Sequence, residues 1–293
     1  MKNILIYSRE KSKIVEEVVY GGSIVRFFYS TRIGLLLEKF IALPLISELY
    51  GGLQSTKISR LKVPGFVQKF DIKMSEFEDK DFVSFNDFFI RNFKDGQREF
   101  VKEKSFPAFC EGRYLGYESC SESFEFPVKS SFLSPSKILK ASKYKGEFEG
   151  GPVLVARLCP VDYHCYHYPA KGKTLEVVHE GNELHSVNPW ALKSLPDLFI
   201  KNKRRVSILE TDEFGLLAFV EVGATCVGKI IQTHDESEAF ERGQKKGHFL
   251  FGGSTVILFG QKGKWRPSDD VLKHTLEKRE VLIKLGQELG QRL

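Results

Sequence analysis

The sequence is poor in cysteine, methionine and tryptophan, with five, two and two residues among 293. The cysteines are odd in number and form neither a CxxC pair nor a zinc-finger spacing. A disulfide framework needs paired cysteines and a structural zinc site needs clustered ones, so both are disfavoured. The pattern indicates a reducing compartment. The cysteines are Cys110, Cys120, Cys159, Cys165 and Cys226.

A strong charge of one sign and long hydrophobic runs are also missing. The 44 Lys and Arg against 38 Asp and Glu give a net charge of +6, which is too small and too dispersed for a nucleic-acid-binding surface. Residues 1–17 are polar where a signal peptide needs an apolar centre. The apolar region 24–53 is interrupted by charged residues and Pro44, so we expect no helix that spans a bilayer.

Two helical candidates, residues 23–41 and 43–50, carry Phe, Leu and Ile with flanking arginines. Such helices could lie in a membrane interface, with their apolar faces among acyl chains and their cations near lipid phosphates. Ordinary helices packed on the protein core have a similar composition. The residues alone leave both alternatives open.

The patterns of the chain predict an α+β fold. Residues 1–100 are predicted to be mostly helical, and Ser84 is an N-cap candidate for a short aromatic helix. Residues from about 105 to 260 are typical of strands, including a run at 153–158. We find no internal repeat or linker, so we expect the zones to form one body.

Two further patterns complete this prediction. Residues 205–210 and 216–222 flank a turn that ends in glycine, which predicts a β-hairpin. After Pro267, leucines recur at roughly helical spacing among charged residues, which predicts a C-terminal amphipathic helix. These leucines are Leu272, Leu276, Leu282, Leu285 and Leu289.

His164 and His167 are the first candidates for chemistry. Their spacing of three residues can place them on one face of a helical turn or tight loop, among aromatic residues that tune their basicity. A metal site would need a third ligand, and no HExxH motif or second His/Cys cluster provides one. The alternative is that one histidine is buried and hydrogen-bonded to a backbone carbonyl.

The second and third candidates are the segment 249–258 and the turn around Glu111. In the first, an apolar run leads into Gly252, Gly253 and Ser254, where glycine permits unusual backbone geometry and the Ser254 hydroxyl can approach the Gly253 carbonyl. Most such triplets are hairpin turns, and this one lacks the GxSxG pattern of a hydrolase. Glu111, which precedes a glycine, would by itself be read as part of a solvated turn.

Taken in order, these segments resemble the phosphatidylserine decarboxylase proenzymes, in particular the bacterial branch of about this length. The histidine block and the Gly-Ser-Thr block at this separation are highly specific, whereas the N-terminal zone adds little. The segments that carry the resemblance are 84–91, 110–114, 126–129, 156–169, 220–230 and 246–255.

The resemblance implies a self-processing enzyme. In that family the bond before the serine breaks, so cleavage between Gly253 and Ser254 would give a β chain, 1–253, and an α chain, 254–293. Ser254 would become a covalent pyruvoyl group, the cofactor for decarboxylation of phosphatidylserine to phosphatidylethanolamine. By resemblance His167 is the base of self-cleavage, and His164 lies near the substrate carboxylate or delivers a proton.

By the same resemblance Glu111 is the acid that orients His167, although the family usually has Asp there. Glu is longer by one methylene, so its carboxylate must be drawn back or approach His167 from a different angle. The resemblance further implies a barrel-like catalytic body at 101–293, a membrane-associating region at 1–100 and a peripheral position on the cytoplasmic face of the membrane. Expected partners are membrane phosphatidylserine, the two chains of one proenzyme and a second copy in a homodimer; no nucleic acid or metal is expected.

Three rival functions stay open. A member of the family that cleaves poorly could bind lipid without turnover, and Glu111 is the feature that favours it. A serine hydrolase would use Ser254, His167 and Glu111 on an external ester and would keep the chain intact. A pyruvoyl decarboxylase for a soluble amino acid would leave the apolar, arginine-flanked N-terminal zone without a purpose.

Overall fold

The computed structural model describes residues 4–19, 21–102, 104–120, 134–195, 197–224, 229–252 and 254–293. The strands are β1 (Leu5–Ser8), β2 (Lys13–Glu16), β3 (Ser105–Pro107), β4 (Gly112–Cys120), β5 (Gly151–Leu158), β6 (Cys165–His167), β7 (Gly172–Glu180), β8 (Arg204–Thr211), β9 (Gly215–Val222), β10 (Ile230–Gln232), β11 (Lys245–Phe249), β12 (Ser254–Gly260), β13 (Trp265–Pro267), β14 (Val281–Ile283) and β15 (Glu288–Arg292).

Helices are concentrated before residue 90 and are short elsewhere. The α-helices are α1 (Gly22–Ser30), α2 (Arg32–Ile41), α3 (Pro44–Gln54), α4 (Val63–Phe70), α5 (Phe85–Phe89), α6 (Pro135–Ile138), α7 (Pro189–Ser194), α8 (Leu198–Lys201) and α9 (Asp269–Leu276). Short 3-10 turns lie at Lys57–Lys62, Met74–Glu76 and Lys145–Phe148. The α+β class is confirmed.

A nine-stranded sheet forms the centre of the molecule, in the order β2-β1-β14-β4-β5-β12-β9-β8-β7. Its neighbouring strands are antiparallel except for the parallel pair β1 and β14. Two three-stranded sheets, β10-β11-β6 and β13-β15-β3, accompany it.

The predicted barrel-like body is wrong, because the large sheet is open. A closed barrel requires its first and last strands to pair. Here β2 and β7 are the two edges, and over the described part of the chain they do not pair with each other. The remaining strands form the two small sheets instead of closing the large one.

Both faces of the large sheet are buried, as the alternation of side chains in its central strands shows. In β12, Val256 and Leu258 join one hydrophobic cluster, and Ile257 and Phe259 join another. Successive side chains of a strand point to opposite faces, so each cluster covers one face. Strand β12 is therefore buried along its whole length.

The N-terminal zone contains the predicted helices, with an added break and two unpredicted strands. Residues 23–41 form two helices, because Thr31 adopts an extended conformation between α1 and α2. Strands β1 and β2 precede them, and β1 pairs with β14 in the large sheet. Over the described residues, no helix is long and apolar enough to cross a membrane. The division of the chain at residue 100 stays a prediction.

The predicted C-terminal amphipathic helix is only partly present. Helix α9 ends at Leu276, and Lys278 then adopts a left-handed φ of 58°. Leu282 and Leu289 lie in β14 and β15, whose backbones pair with β1, β4, β13 and β3. Long-range strand pairing thus overrides the helical spacing of the leucines.

Local signals elsewhere are confirmed. Ser84 caps α5 by accepting a hydrogen bond from the Asp87 backbone N–H. The hairpin of β8 and β9 turns at Gly215, whose φ of 68° favours glycine. Residues 126–129 and 225–228, which include Cys226, and Gly253 lie outside the described residues.

Gly260 at the end of β12 generates a prediction about stability. A Cβ atom there would lie 2.2 Å from Nε1 of the buried Trp265. We expect Gly260→Ala to lower the free energy of unfolding by about 1–3 kcal/mol or more, measured by urea titration. Gly65→Ala in α4 is the control, because its Cβ would enter open space. Equal unfolding midpoints for the two variants would contradict this packing.

Candidate active site

Ser254 lies at the start of β12, in the middle of the large sheet. It pairs with Leu158 of β5, and the next residue, Thr255, pairs with Val222 of β9. The side chain of Ser254 is fully buried, and among the residues that the structure describes its Oγ has no hydrogen-bond partner. An unpaired buried hydroxyl is costly. This makes the buried Ser254 hydroxyl a candidate nucleophile.

The segment before Ser254 is anchored to α5. The Phe251 backbone N–H donates to Oδ1 of Asn86 at 3.0 Å, and the Phe251 ring packs on Phe85 and Phe89. Gly252 then adopts a φ of 144°, a conformation that essentially only glycine tolerates. The backbone that leads to the predicted cleavage site is thus anchored at Phe251 and then passes through a conformation at Gly252 that requires glycine.

His164 lies close to this segment. Its ring packs on Phe89 with centroids 3.9 Å apart, and its Nδ1 is 3.1 Å from the Asp162 carbonyl. A carbonyl only accepts, so Nδ1 carries the proton and Nε2 carries the lone pair. Over the described part of the chain, Nε2 has no hydrogen-bond partner. Burial lowers the pKa of His164 to about 3, although the backbones of Asp162 and Gly252 oppose the shift.

A buried ion cluster holds the loop that carries His164. The Asp162 carboxylate accepts from the Cys159 backbone N–H at 2.6 Å and forms an ion pair with Arg113. Arg113 and Arg157 share Glu17, at 2.5 and 2.9 Å. Because the Asp162 carbonyl in turn fixes the His164 ring, the cluster sets the orientation of Nε2.

His167 lies in a separate environment, at the end of β6. The predicted shared face is wrong, since His167 belongs to a strand and His164 to the preceding loop. The His167 Nδ1 lies 2.8 Å from the Gly243 carbonyl, and its Nε2 lies 3.1 Å from the Tyr163 hydroxyl. Burial, assisted by Lys245, lowers its pKa to about 4.

Glu111 precedes β4 and forms an ion pair with Arg98. Its Oε1 accepts from Arg98 Nε at 3.0 Å, and the Arg98 Nη2 reaches Glu76 at 2.6 Å. Burial raises the pKa of Glu111 to about 7, and Arg98 opposes the shift. The ring of His167 instead contacts Tyr163 and Gly243. The orientation of His167 by Glu111 therefore stays a prediction.

A cavity of about 210 Å³ lies beside Glu111. Arg98, Arg91 and Tyr163 line it together with Lys284 and Phe77. The Arg91 guanidinium packs between the rings of Phe77 and Phe88, at 4.3 and 4.6 Å from their centroids. This cavity gives the Glu111 carboxylate a route to solvent.

Sequence reasoning missed Asn86, Arg98 and Tyr163 as supports of the site. Asn86 and Tyr163 belong to segments that carry the family resemblance, which was their only signal. Arg98 pairs with Glu111, which is 13 residues further along the chain, and this separation is too large for a local sequence pattern to indicate the pair. Among the residues that the structure describes, no three His, Cys, Asp or Glu side chains are placed to hold a metal ion.

Comparison with known proteins links this geometry to one family. A sequence model described as phosphatidylserine decarboxylase matches residues 85–291, a range that includes all the candidate residues. The phosphatidylserine decarboxylase proenzyme of Ruminiclostridium cellulolyticum is 39% identical over 291 residues, covering 98% of this chain and 97% of that protein.

Two further relatives carry the same name. The proenzyme of Clostridium novyi is 37% identical over 99% of this chain and 100% of its own length. That of Fusobacterium nucleatum is 34% identical over 99% of this chain and 98% of its own length. The chain therefore belongs to the phosphatidylserine decarboxylase family.

Proposed function

We propose that this protein cleaves itself between Gly253 and Ser254 and then decarboxylates phosphatidylserine to phosphatidylethanolamine and CO2. The observation that carries the proposal is the family match over residues 85–291, which spans Glu111, His164 and His167 as well as the cleavage site. The two products of cleavage, 1–253 and 254–293, act together.

Self-cleavage begins at the Ser254 hydroxyl. His167 accepts its proton, Oγ attacks the Gly253 carbonyl carbon, and the peptide C–N bond breaks to give an ester. Loss of the Ser254 α-proton then breaks the Cβ–Oγ bond and releases the Gly253 carboxylate. Hydrolysis of the remaining enamine, after tautomerisation, releases ammonia and leaves the pyruvoyl group. Serine is required because its oxygen is first the nucleophile and then the leaving group.

The surroundings of Ser254 fit a pyruvoyl group. The Ser254 Oγ occupies a fully buried position without a hydrogen-bond partner among the described residues, and Gly252, two residues before Ser254, adopts a φ of 144° that glycine permits. When formed, the pyruvoyl carbonyl supplies the electron sink that loss of CO2 needs. The chain itself contributes a water-poor site, since Phe89 and Phe251 cover the entrance to β12. Exclusion of water favours conversion of a carboxylate into neutral CO2.

We assign His164 to the decarboxylation step. Its Nδ1 proton is held by the Asp162 carbonyl, Nε2 has no hydrogen-bond partner among the described residues, and the Gly252 backbone is close enough to influence the ring. An imidazole placed in this way can hold a proton at Nε2 and deliver it to the carbon that loses CO2.

A peripheral position on the cytoplasmic face of the membrane suits the N-terminal zone. Leu45, Leu49 and Leu53 recur every four residues on α3 and are 66%, 63% and 62% exposed. Such an apolar stripe is typical of an interfacial helix. Exposed Lys57 and Arg60 follow it in the chain, where they can face lipid phosphates. The expected homodimer stays a prediction.

The rival functions receive less support. A serine hydrolase typically carries its nucleophile in a GxSxG turn, and this pattern is missing around Ser254. A family member impaired in processing is favoured only by Glu111, whose carboxylate contacts Arg98.

Variants of the two central residues test the function. We expect His164→Ala to be cleaved into two chains but to lose at least about 100-fold in turnover, because general acid catalysis contributes that much. Ser254→Ala should stay whole and inactive, because it has neither nucleophile nor leaving group. The measurement is conversion of phosphatidylserine in vesicles, with chain length followed by gel electrophoresis. Normal turnover by His164→Ala, or two chains from Ser254→Ala, would overturn these assignments.

The length of the acid at position 111 gives a separate test. Glu111→Ala should slow the appearance of the 254–293 fragment by at least about tenfold if the carboxylate supports the base. Glu111→Asp should preserve or speed it, since Asp is the usual residue of the family. Pulse-labelling of newly made chains measures both rates. A normal rate in Glu111→Ala would show that another group orients His167.

The apolar stripe gives a test of membrane association. Leu49→Glu combined with Leu53→Glu should weaken sedimentation with phosphatidylserine vesicles by at least about tenfold. The reason is that two apolar side chains, exposed in the free protein, would no longer be buried in the membrane interface. Leu276→Glu on α9 is a matched control, since Leu276 is 85% exposed but lies outside the stripe. Equal binding by the two proteins would argue against α3 as the contact.

A further inference from the structure

Both ring nitrogens of His167 form hydrogen bonds with residues that the structure describes. Nδ1 lies 2.8 Å from the Gly243 carbonyl, and a carbonyl oxygen can only accept. Nδ1 therefore carries the proton, and in the neutral ring Nε2 carries the lone pair. The Tyr163 hydroxyl, 3.1 Å from Nε2, is then the donor of the second hydrogen bond.

Tyr163 is well placed to remain a donor. It is 4% exposed, and its ring packs on Phe93 with centroids 4.6 Å apart. Burial raises the pKa of Tyr163 well above its usual value, and nearby Cys165 and Glu111 add to the shift while Arg91 opposes it. The phenol is thus neutral and keeps its proton throughout the physiological range.

The other groups that face His167 reinforce the neutral ring. Lys245 is its direct neighbour across the β6–β11 pair and disfavours a second positive charge. Phe100 packs near the ring, with centroids 5.9 Å apart. Among the described residues, the contacts of His167 thus include no carboxylate, and the Gly243 carbonyl takes the place at Nδ1 that an acid would occupy in a Ser-His-acid arrangement.

We propose that Tyr163 is a positioning residue for self-cleavage. Together with the Gly243 carbonyl, its hydroxyl holds His167 as the neutral Nδ1–H tautomer, with the Nε2 lone pair available for the Ser254 proton. The Tyr163 O–H turns away from Nε2 when that proton arrives, and Tyr163 itself gains and loses no atoms. This role rests on the proposed self-cleavage, whereas the hydrogen bond itself can be tested without it.

The first test is 15N NMR of the histidines in the full-length chain carrying Ser254→Ala. We expect His167 to show a protonated Nδ1 and an unprotonated Nε2, with its signals assigned by their loss in His167→Gln. Adding Tyr163→Phe should raise the pKa of His167 by about 0.5 to 1 unit, because the lost bond favours only the neutral ring. A protonated Nε2 in the Ser254→Ala chain would overturn the proposal even if Tyr163→Phe fails to fold.

Tyr168→Phe provides the matched control. The Tyr168 hydroxyl lies 3.1 Å from Nδ1 of His234, so this variant removes a tyrosine–histidine bond of the same length from a different histidine. The pKa of His167 should stay unchanged in it. An unchanged pKa in Tyr163→Phe, or an equal shift in both variants, would overturn the assignment.

The second test follows cleavage of newly translated chains with Ser254 intact, between pH 4 and 7. In Tyr163→Phe the pH of half-maximal cleavage should move upward by the shift measured by NMR, whereas Tyr168→Phe should follow the unsubstituted chain. An identical pH profile in Tyr163→Phe would contradict a role in cleavage. If the unsubstituted chain does not split at any pH, self-cleavage fails, and the NMR result still decides whether Tyr163 holds His167.

Discussion

The structure depends on the insertion of β12 between β5 and β9. Backbone pairing with β5 fixes Ser254, pairing with β9 begins at the next residue, Thr255, and both hydrophobic clusters cover the strand. Gly252, two residues before Ser254, lies outside the strand and adopts a φ of 144°. The strand therefore holds Ser254 at a fixed position, which the proposed attack on the Gly253 carbonyl requires.

The same insertion accounts for how two chains would stay together after cleavage. Residues 254–293 supply β12 and β14 to the large sheet, each between strands from residues 1–253. They also supply β13 and β15, and β15 pairs with β3. Because backbone hydrogen bonds and burial hold these strands, we expect the two chains to stay associated after cleavage before Ser254.

Much of the local structure could be predicted from the sequence, whereas long-range pairing could not. The Ser84 cap and the Gly215 turn depend on neighbouring residues and were confirmed. The helix predicted from the leucine spacing after Pro267 is only partly present, because β14 and β15 pair with strands that begin at residues 5 and 105. The prediction of a barrel-like body was wrong for a similar reason. Closure of a sheet depends on pairing between its two edge strands, which are distant in sequence.

For the site, motif spacing identified the reactive residues but not their partners. His164 and His167 lie three residues apart, yet a loop and a strand place them in different surroundings. The partners Tyr163, Gly243 and Arg98 follow from tertiary contacts that single-sequence patterns do not encode.

The most direct measurement is the intact mass of the purified protein under denaturing conditions. The account predicts two chains divided between Gly253 and Ser254, with the smaller one lighter by one ammonia than a peptide that begins with serine. A single mass for the full chain of 293 residues would contradict self-cleavage, and with it the pyruvoyl-dependent decarboxylation proposed for this protein.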